Sequence, residues 1–119
     1  MITQPRPDAG LDPTRERSNR SAAVVWVDDH HARVAATDPD GRITTGAIER
    51  GLAAEAAYLA HVVDAIGDRD RVVILGPGAV RLALEREYVS IYHRPDRLVD
   101  VEPAREEVDL LARLRRIAD

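Results

Sequence analysis

The sequence predicts an α/β domain in which helices pack on a mixed sheet, and three observations predict it. Four consecutive aliphatic residues, Val72 to Leu75, run into the turn Gly76-Pro77-Gly78, the pattern of a strand buried on both faces. Ahead of them lie three short β-prone segments separated by turn residues. Around these strands, apolar residues recur at steps of three and four, the period of helices that cover one side of a sheet.

Taken in order, Met1 to Ser21 contains Pro5, Pro7 and Pro13 and mixed charge with little to bury. This predicts a flexible tail ahead of a single domain spanning 22–119. Ala22 to Asp28 reads as the first strand, with Val24, Val25 and Val27 around Trp26, and Asp29-His30 as a tight turn. From His31 to Thr37 the residues alternate, which suits an antiparallel partner with one solvated face. Asp38-Pro39-Asp40-Gly41 has turn chemistry. Arg42 to Ile48 supplies a third strand, completing a meander.

Leu52, Ala56, Leu59, Val63 and Ile66 place one apolar stripe on a helix from Leu52 to Ile66, closed by Gly67. The buried strand follows. Gly76 permits a sharp exit and Pro77 suits a helix start. The next helix turns Val80, Ala83, Leu84 and Tyr88 inward, and residues 89–94 read as its helical or irregular end. Arg97 to Glu102 predicts a last short strand broken by Pro103. Ala104 to Ala118 predicts a final helix that buries Val108, Leu111, Leu114 and Ile117, with Arg113, Arg115 and Arg116 favourably placed against its dipole. The order is β-β-β-α-β-α-β-α, with the fourth strand parallel to a member of the meander. That is the layout of a ribonuclease H-like domain.

A chain of 119 residues has room for one modest core. With no Phe, one Trp and three Tyr, that core is aliphatic, and stacking platforms for bases are scarce. All 17 basic residues are Arg, against 21 acidic ones, and the net charge of −4 argues against a broad basic surface for nucleic acid. The absence of Cys excludes disulfides and thiolate chemistry. No apolar run suits a leader or a membrane span, so the expectation is a cytoplasmic protein with no membrane partner.

Two places carry possible chemistry. Asp28-Asp29-His30-His31 is the densest group of acid-base and metal-ligating side chains, at a turn between strands. Neighbouring strand residues point to opposite faces, so two of the four at most converge on one ion. Asp28, His30 and His31 are therefore weak metal candidates, beside the plainer reading of a solvated turn. The Gly76-Pro77-Gly78 turn offers the amides of Gly78 and Ala79 at a helix start, where a phosphate is favoured, but it lacks the continuation of a P-loop. Tight strand-to-helix packing is the plainer reading there. Arg33, Arg42, Arg81, Arg86, Arg94 and Arg97 form a phosphate-reading face only if the fold gathers them; Glu85, Glu87 and Asp96 are interspersed.

Ala23 to Val34, with its Trp-Val-Asp-x-His-x-Ala-Arg segment, Val72 to Gly78 and Val99 to Glu102 together resemble small stand-alone bacterial translational machinery proteins. These are similar in turn to the middle domain of archaeal and eukaryotic peptide chain release factors and of Pelota. The resemblance covers about residues 22–118. It implies a translational machinery component-like version of the ribonuclease H-like fold and a ribosome, RNA or ribosome-associated protein partner, with no cofactor. Release factors depend on a Gly-Gly-Gln loop, whereas this chain has no Gly-Gly pair and its only Gln is Gln4. A ribonuclease H-type nuclease needs converging carboxylates for two metal ions. Asp28 and Glu55 can stand for two of them, but the fourth strand ends in Leu75-Gly76-Pro77 with no acid. The leading expectation is thus a non-enzymatic binding domain with candidate contacts at Gly76, Gly78, Ala79, Arg33 and Arg81. The alternatives are a small metal-dependent hydrolase or nuclease using the Asp28–His31 turn, and a homo-oligomeric scaffold using an open sheet edge.

Overall fold

The computed structural model of the chain describes residues 21–92, 98–107 and 109–118. Five strands and three helices follow the expected order: β1 (Ala22–Val27), β2 (His31–Thr37), β3 (Ile43–Glu49), α1 (Glu55–Ile66), β4 (Arg71–Gly76), α2 (Val80–Ile91), β5 (Leu98–Pro103) and α3 (Leu110–Ala118). The sheet runs β3-β2-β1-β4-β5. The first three strands are antiparallel, while β4 lies parallel to both β1 and β5. This is the mixed α/β layout expected of a ribonuclease H-like domain. The expected tail (1–20), His93, Arg94, Arg97 and Val108 lie outside the described residues. Ser21, the last residue assigned to the tail, is buried, and its carbonyl accepts from the amides of Asp70 and Arg71.

Strand β1 sits in the middle of the sheet, and its side chains alternate between two cores. Ala23, Val25 and Val27 face α1 and α2, with Ala32, Val34, Val72 and Ile74 from the neighbouring strands. Ala22, Val24 and Trp26 face α3, with Ala35, Val73, Leu75 and Leu114. Burial on both faces is why β1 and β4 read as continuous apolar runs rather than as alternations. Each fully buried Val, Leu or Ile contributes roughly 1.5–3 kcal/mol relative to exposure. The central strands therefore supply a large share of the driving force for folding.

Three boundaries differ from the sequence expectation. The first helix begins at Glu55, not Leu52; Gly51 takes a positive φ of 58° and the Ala53 amide closes a turn onto the Arg50 carbonyl. Leu52 is left fully exposed and Ala56 exposed, and the buried stripe is Tyr58, Leu59, Val62, Val63 and Ile66. The expected stripe was rotated because Leu52 belongs to the turn and Tyr58 turns inward. The last helix starts at Leu110 rather than Ala104. Asp109 caps it, accepting the Ala112 amide at 3.1 Å through its carboxylate. Pro103 is the last residue of β5, paired with Gly76, rather than the residue that breaks the strand after Glu102, as an edge strand allows. The remaining shifts are single residues: β1 ends at Val27, and β3 spans 43–49 rather than 42–48.

Gly76 marks the tightest approach in the fold. A Cβ there would lie 2.2 Å from the backbone oxygen of Val27 and 3.6 Å from the Arg81 side chain. The end of β4 can close on the end of β1 only because this residue has no side chain. Gly76→Ala is therefore expected to lower stability by about 2 kcal/mol or more. Gly78→Ala, whose added methyl group meets nothing within 4 Å, is expected to stay within about 0.5 kcal/mol of the parent. Thermal unfolding of the two variants, followed by circular dichroism, separates these outcomes.

Candidate functional site

Asp28 to His31, Arg33, Gly76 to Ala79 and Arg81 gather at one end of the sheet, where β1 and β4 terminate. Two connections meet there, the β1–β2 hairpin and the turn into α2. Residues 104–107 join them from the α3 side. They are tied down by the Trp26 indole, whose Nε1 donates to the Ala104 carbonyl at 3.2 Å, and by the Ala104 amide, which donates to the Gly76 carbonyl at 2.9 Å.

The hairpin is held by its own acid. One carboxylate oxygen of Asp28 accepts the amides of His30 and His31, each at 2.8 Å. The Asp28 amide donates to the His31 carbonyl, and its carbonyl accepts the Tyr58 hydroxyl at 2.9 Å. Partial burial pushes the Asp28 carboxyl up, but the two amides, His31 and His30 outweigh it and hold the group below its ordinary value. Burial pushes the Tyr58 phenol far up, so it remains a neutral donor. Arg50 completes the clamp, donating to the carbonyls of Ala53 and Asp29 and lying 5.8 Å from the centre of the Tyr58 ring. Asp28 is thus the internal brace of a turn. Among the described residues, no group of three or more His, Cys, Asp and Glu side chains is placed to share a metal ion. His30 and Glu55 are exposed, as is His61.

His31 leans away from the hairpin towards the segment ahead of α3. Its Nε2 lies 2.8 Å from Glu107, its Nδ1 lies 3.6 Å from Asp28, and its ring sits 5.2 Å from that of Trp26. The other oxygen of Glu107 takes Arg33 at 3.3 Å. Glu107 therefore joins two neighbouring β2 positions, His31 and Arg33, to the α3 approach. No spacing in the sequence marks Glu107, which is why it was missed. The hydrogen bond to Glu107 raises the His31 pKa, burial opposes this, and the charges of Asp28, Glu107 and Glu49 add to the rise.

The glycine turn presents Gly78 and Ala79 in exposed positions at the start of α2. Arg81 folds back over that turn, donating to the carbonyls of Gly78 at 2.7 Å and Gly76 at 3.4 Å. Gly76 itself is buried against β1, so its place in the candidate set is explained by packing. Arg33 and Arg81 share one end of the sheet but not one face. Arg33 pairs with Glu107 on the α3 side, whereas α2, which carries Arg81, belongs to the opposite core. Arg42 lies beside the Asp38–Gly41 turn at the other end of β2, and Arg86 is exposed further along α2. The described arginines do not converge on a single phosphate-reading face.

The His31 ion pair predicts a pH dependence of definite sign. Because the folded pKa is raised, the stabilisation is complete below the ordinary histidine value of 6.5 and is lost as pH rises through the folded value. Glu107→Gln is expected to cost under about 1 kcal/mol on the acid side, as befits a partly exposed pair, and less at alkaline pH. An NMR titration of His31 in the two proteins is the direct measurement, with the midpoint expected to fall in Glu107→Gln.

No protein-family model matches the sequence, and no curated protein does. Solved structures do resemble the fold. The Pelota protein of Thermoplasma acidophilum superimposes with a TM-score of 0.58 at 22% identity, covering 96% of this chain and 39% of that one. Pelota of Archaeoglobus fulgidus gives 0.60 at 14% identity over 85% of this chain and 32% of its own. A Bacteroides thetaiotaomicron protein of unknown function with an actin-like ATPase fold gives 0.55 at 11% identity, over 87% and 40%. The chain thus spans between about a third and two fifths of these structures, and what it shares with them is the fold.

Proposed function

We propose that this domain is a non-enzymatic binding module of translation, contacting the ribosome, RNA or a ribosome-associated protein. The observation that carries the reading is the likeness to Pelota across 96% of the chain, which agrees with the release-factor-like sequence segments. The chemistry of the sheet end supports it. In the ribonuclease H-like layout, carboxylates at the ends of the first and fourth strands would have to converge on metal ions. Here the Asp28 carboxylate is engaged by two amides of its own turn. The fourth strand ends in a glycine pressed on the first. At that strand end a side chain on residue 76 would meet the Val27 backbone oxygen, so no carboxylate can stand there.

On this reading, contact falls on the outside of the same end. The exposed Gly78 and Ala79 positions at the start of α2 suit a phosphate or a carboxylate, with Arg81 beside them and Arg33 at the same end on the opposite face of the sheet. A surface of this kind, with a net charge of −4 behind it, gives modest and salt-sensitive affinity.

Ribosome co-sedimentation tests the proposal. The protein is expected to travel with ribosomes at low salt and to be released as salt rises. Arg81→Ala is expected to reduce the bound fraction several-fold without changing the melting temperature by more than a degree or two. A protein found wholly in the free fraction at low salt would count against the reading.

A further inference from the structure

Of the two arginines in the candidate contact set, Arg81 donates to main-chain carbonyls, whereas Arg33 already holds an acid. Its Nη1 lies 3.3 Å from one oxygen of Glu107, and the Nε2 of His31 lies 2.8 Å from the other. The two donors stand two residues apart on β2, a strand spacing that puts both on the α3 side of the sheet. Together they grip the two oxygens of a single carboxylate. A phosphate presents two oxygens to two donors in the same way.

The fold does not rest on this grip. Ahead of Glu107, Ala104 is fixed by its own bonds to Trp26 and Gly76, and beyond it the Asp109 carboxylate caps α3. Across the sheet Arg33 has neutral neighbours, Trp26 on β1 and Ala47 on β3. The pair is open to solvent, with side-chain exposures of 53% for Arg33 and 37% for Glu107, a setting in which an ion pair contributes little. A groove of about 510 Å³ runs beside it, lined by Arg33, Glu107, Thr45, Ala47, Leu110 and Leu111. A ligand can therefore reach Arg33, and a displaced carboxylate has room to turn away.

We propose that Glu107 is an autoinhibitory carboxylate, which occupies the place of an RNA phosphate on Arg33 and His31 and is displaced when RNA binds. The inference rests on the translation reading above and names RNA as the partner on the α3 side of the sheet. An acidic protein segment would offer Arg33 only what Glu107 already offers, while losing the freedom of a separate chain. A nucleic-acid backbone brings a further driving force, the release of its condensed counterions. That difference lets RNA, rather than an acidic peptide, compete with a tethered acid.

Filter binding to purified ribosomal RNA at low salt tests this through a double-mutant cycle. Glu107→Ala is expected to tighten binding several-fold and to steepen its salt dependence by about one counterion. Arg33→Ala alone is expected to change the parent's affinity by less than about twofold, yet in the Glu107→Ala background to remove the whole increase. Glu106→Ala takes away the same charge one residue earlier without freeing Arg33, and is expected to leave binding within about twofold of the parent. If Glu107→Ala fails to fold by circular dichroism, Glu107→Gln serves in its place with the same expectation. Equal tightening by Glu106→Ala and Glu107→Ala overturns the inference, as does an increase that survives Arg33→Ala. A parent that travels with ribosomes while Glu107→Ala binds ribosomal RNA no better defeats the autoinhibitory contact alone. Parent and variants that all stay free of ribosomes and of ribosomal RNA defeat the translation reading with it.

Discussion

The fold depends on how closely the ends of β1 and β4 approach. These two parallel strands form the centre of the sheet, and every helix packs on one of their faces. Their contact is sealed at the C-terminal end by Gly76 lying against the Val27 carbonyl. From that contact follow the entry of α2, the position of the Ala104 segment that bonds back to Gly76, and the seat of Trp26 beneath it.

Where the sequence was read correctly, the signal was local and strong. Val72 to Leu75 and the Gly76-Pro77-Gly78 turn admitted only a buried strand leading to a helix, and the valines around Trp26 admitted only a strand. The order of elements and the parallel placement of β4 followed from these. The misplaced helix starts have a common reason. Leu52 and Ala104 both fit a helical period, but a positive-φ glycine before the first and the Asp109 cap before the second decide the boundary, and periodicity is blind to both. Asp109 could have been recognised as a cap residue directly ahead of two leucines. The exposure of Leu52 had no such signal.

The candidate site was legible in part. Asp28, His30 and His31 do share one hairpin, as their adjacency requires, but their roles rest on residues distant in sequence. Tyr58 fixes the Asp28 carbonyl from 30 positions away, and Glu107 reaches His31 from 76. A single sequence gives no means of pairing them. The arginines illustrate the converse. Six could form a face only if the fold gathered them, and the sheet separates the described ones between two faces and two ends.

Three buried aromatic rings share a habit whose consequence concerns uniqueness rather than strength. Trp26, Tyr58 and Tyr88 each end on a main-chain carbonyl in a connection between elements, those of Ala104, Asp28 and Gly67. A core of Ala, Val, Leu and Ile is forgiving of sliding, because small aliphatic side chains interlock weakly. The three polar tips are not forgiving. Moving α1 or α2 by one turn along the sheet, or lifting the segment ahead of α3, would strand a hydroxyl or indole donor against hydrocarbon. In a chain with no Phe and no Cys, these three contacts set the alignment of the two helical layers on the sheet.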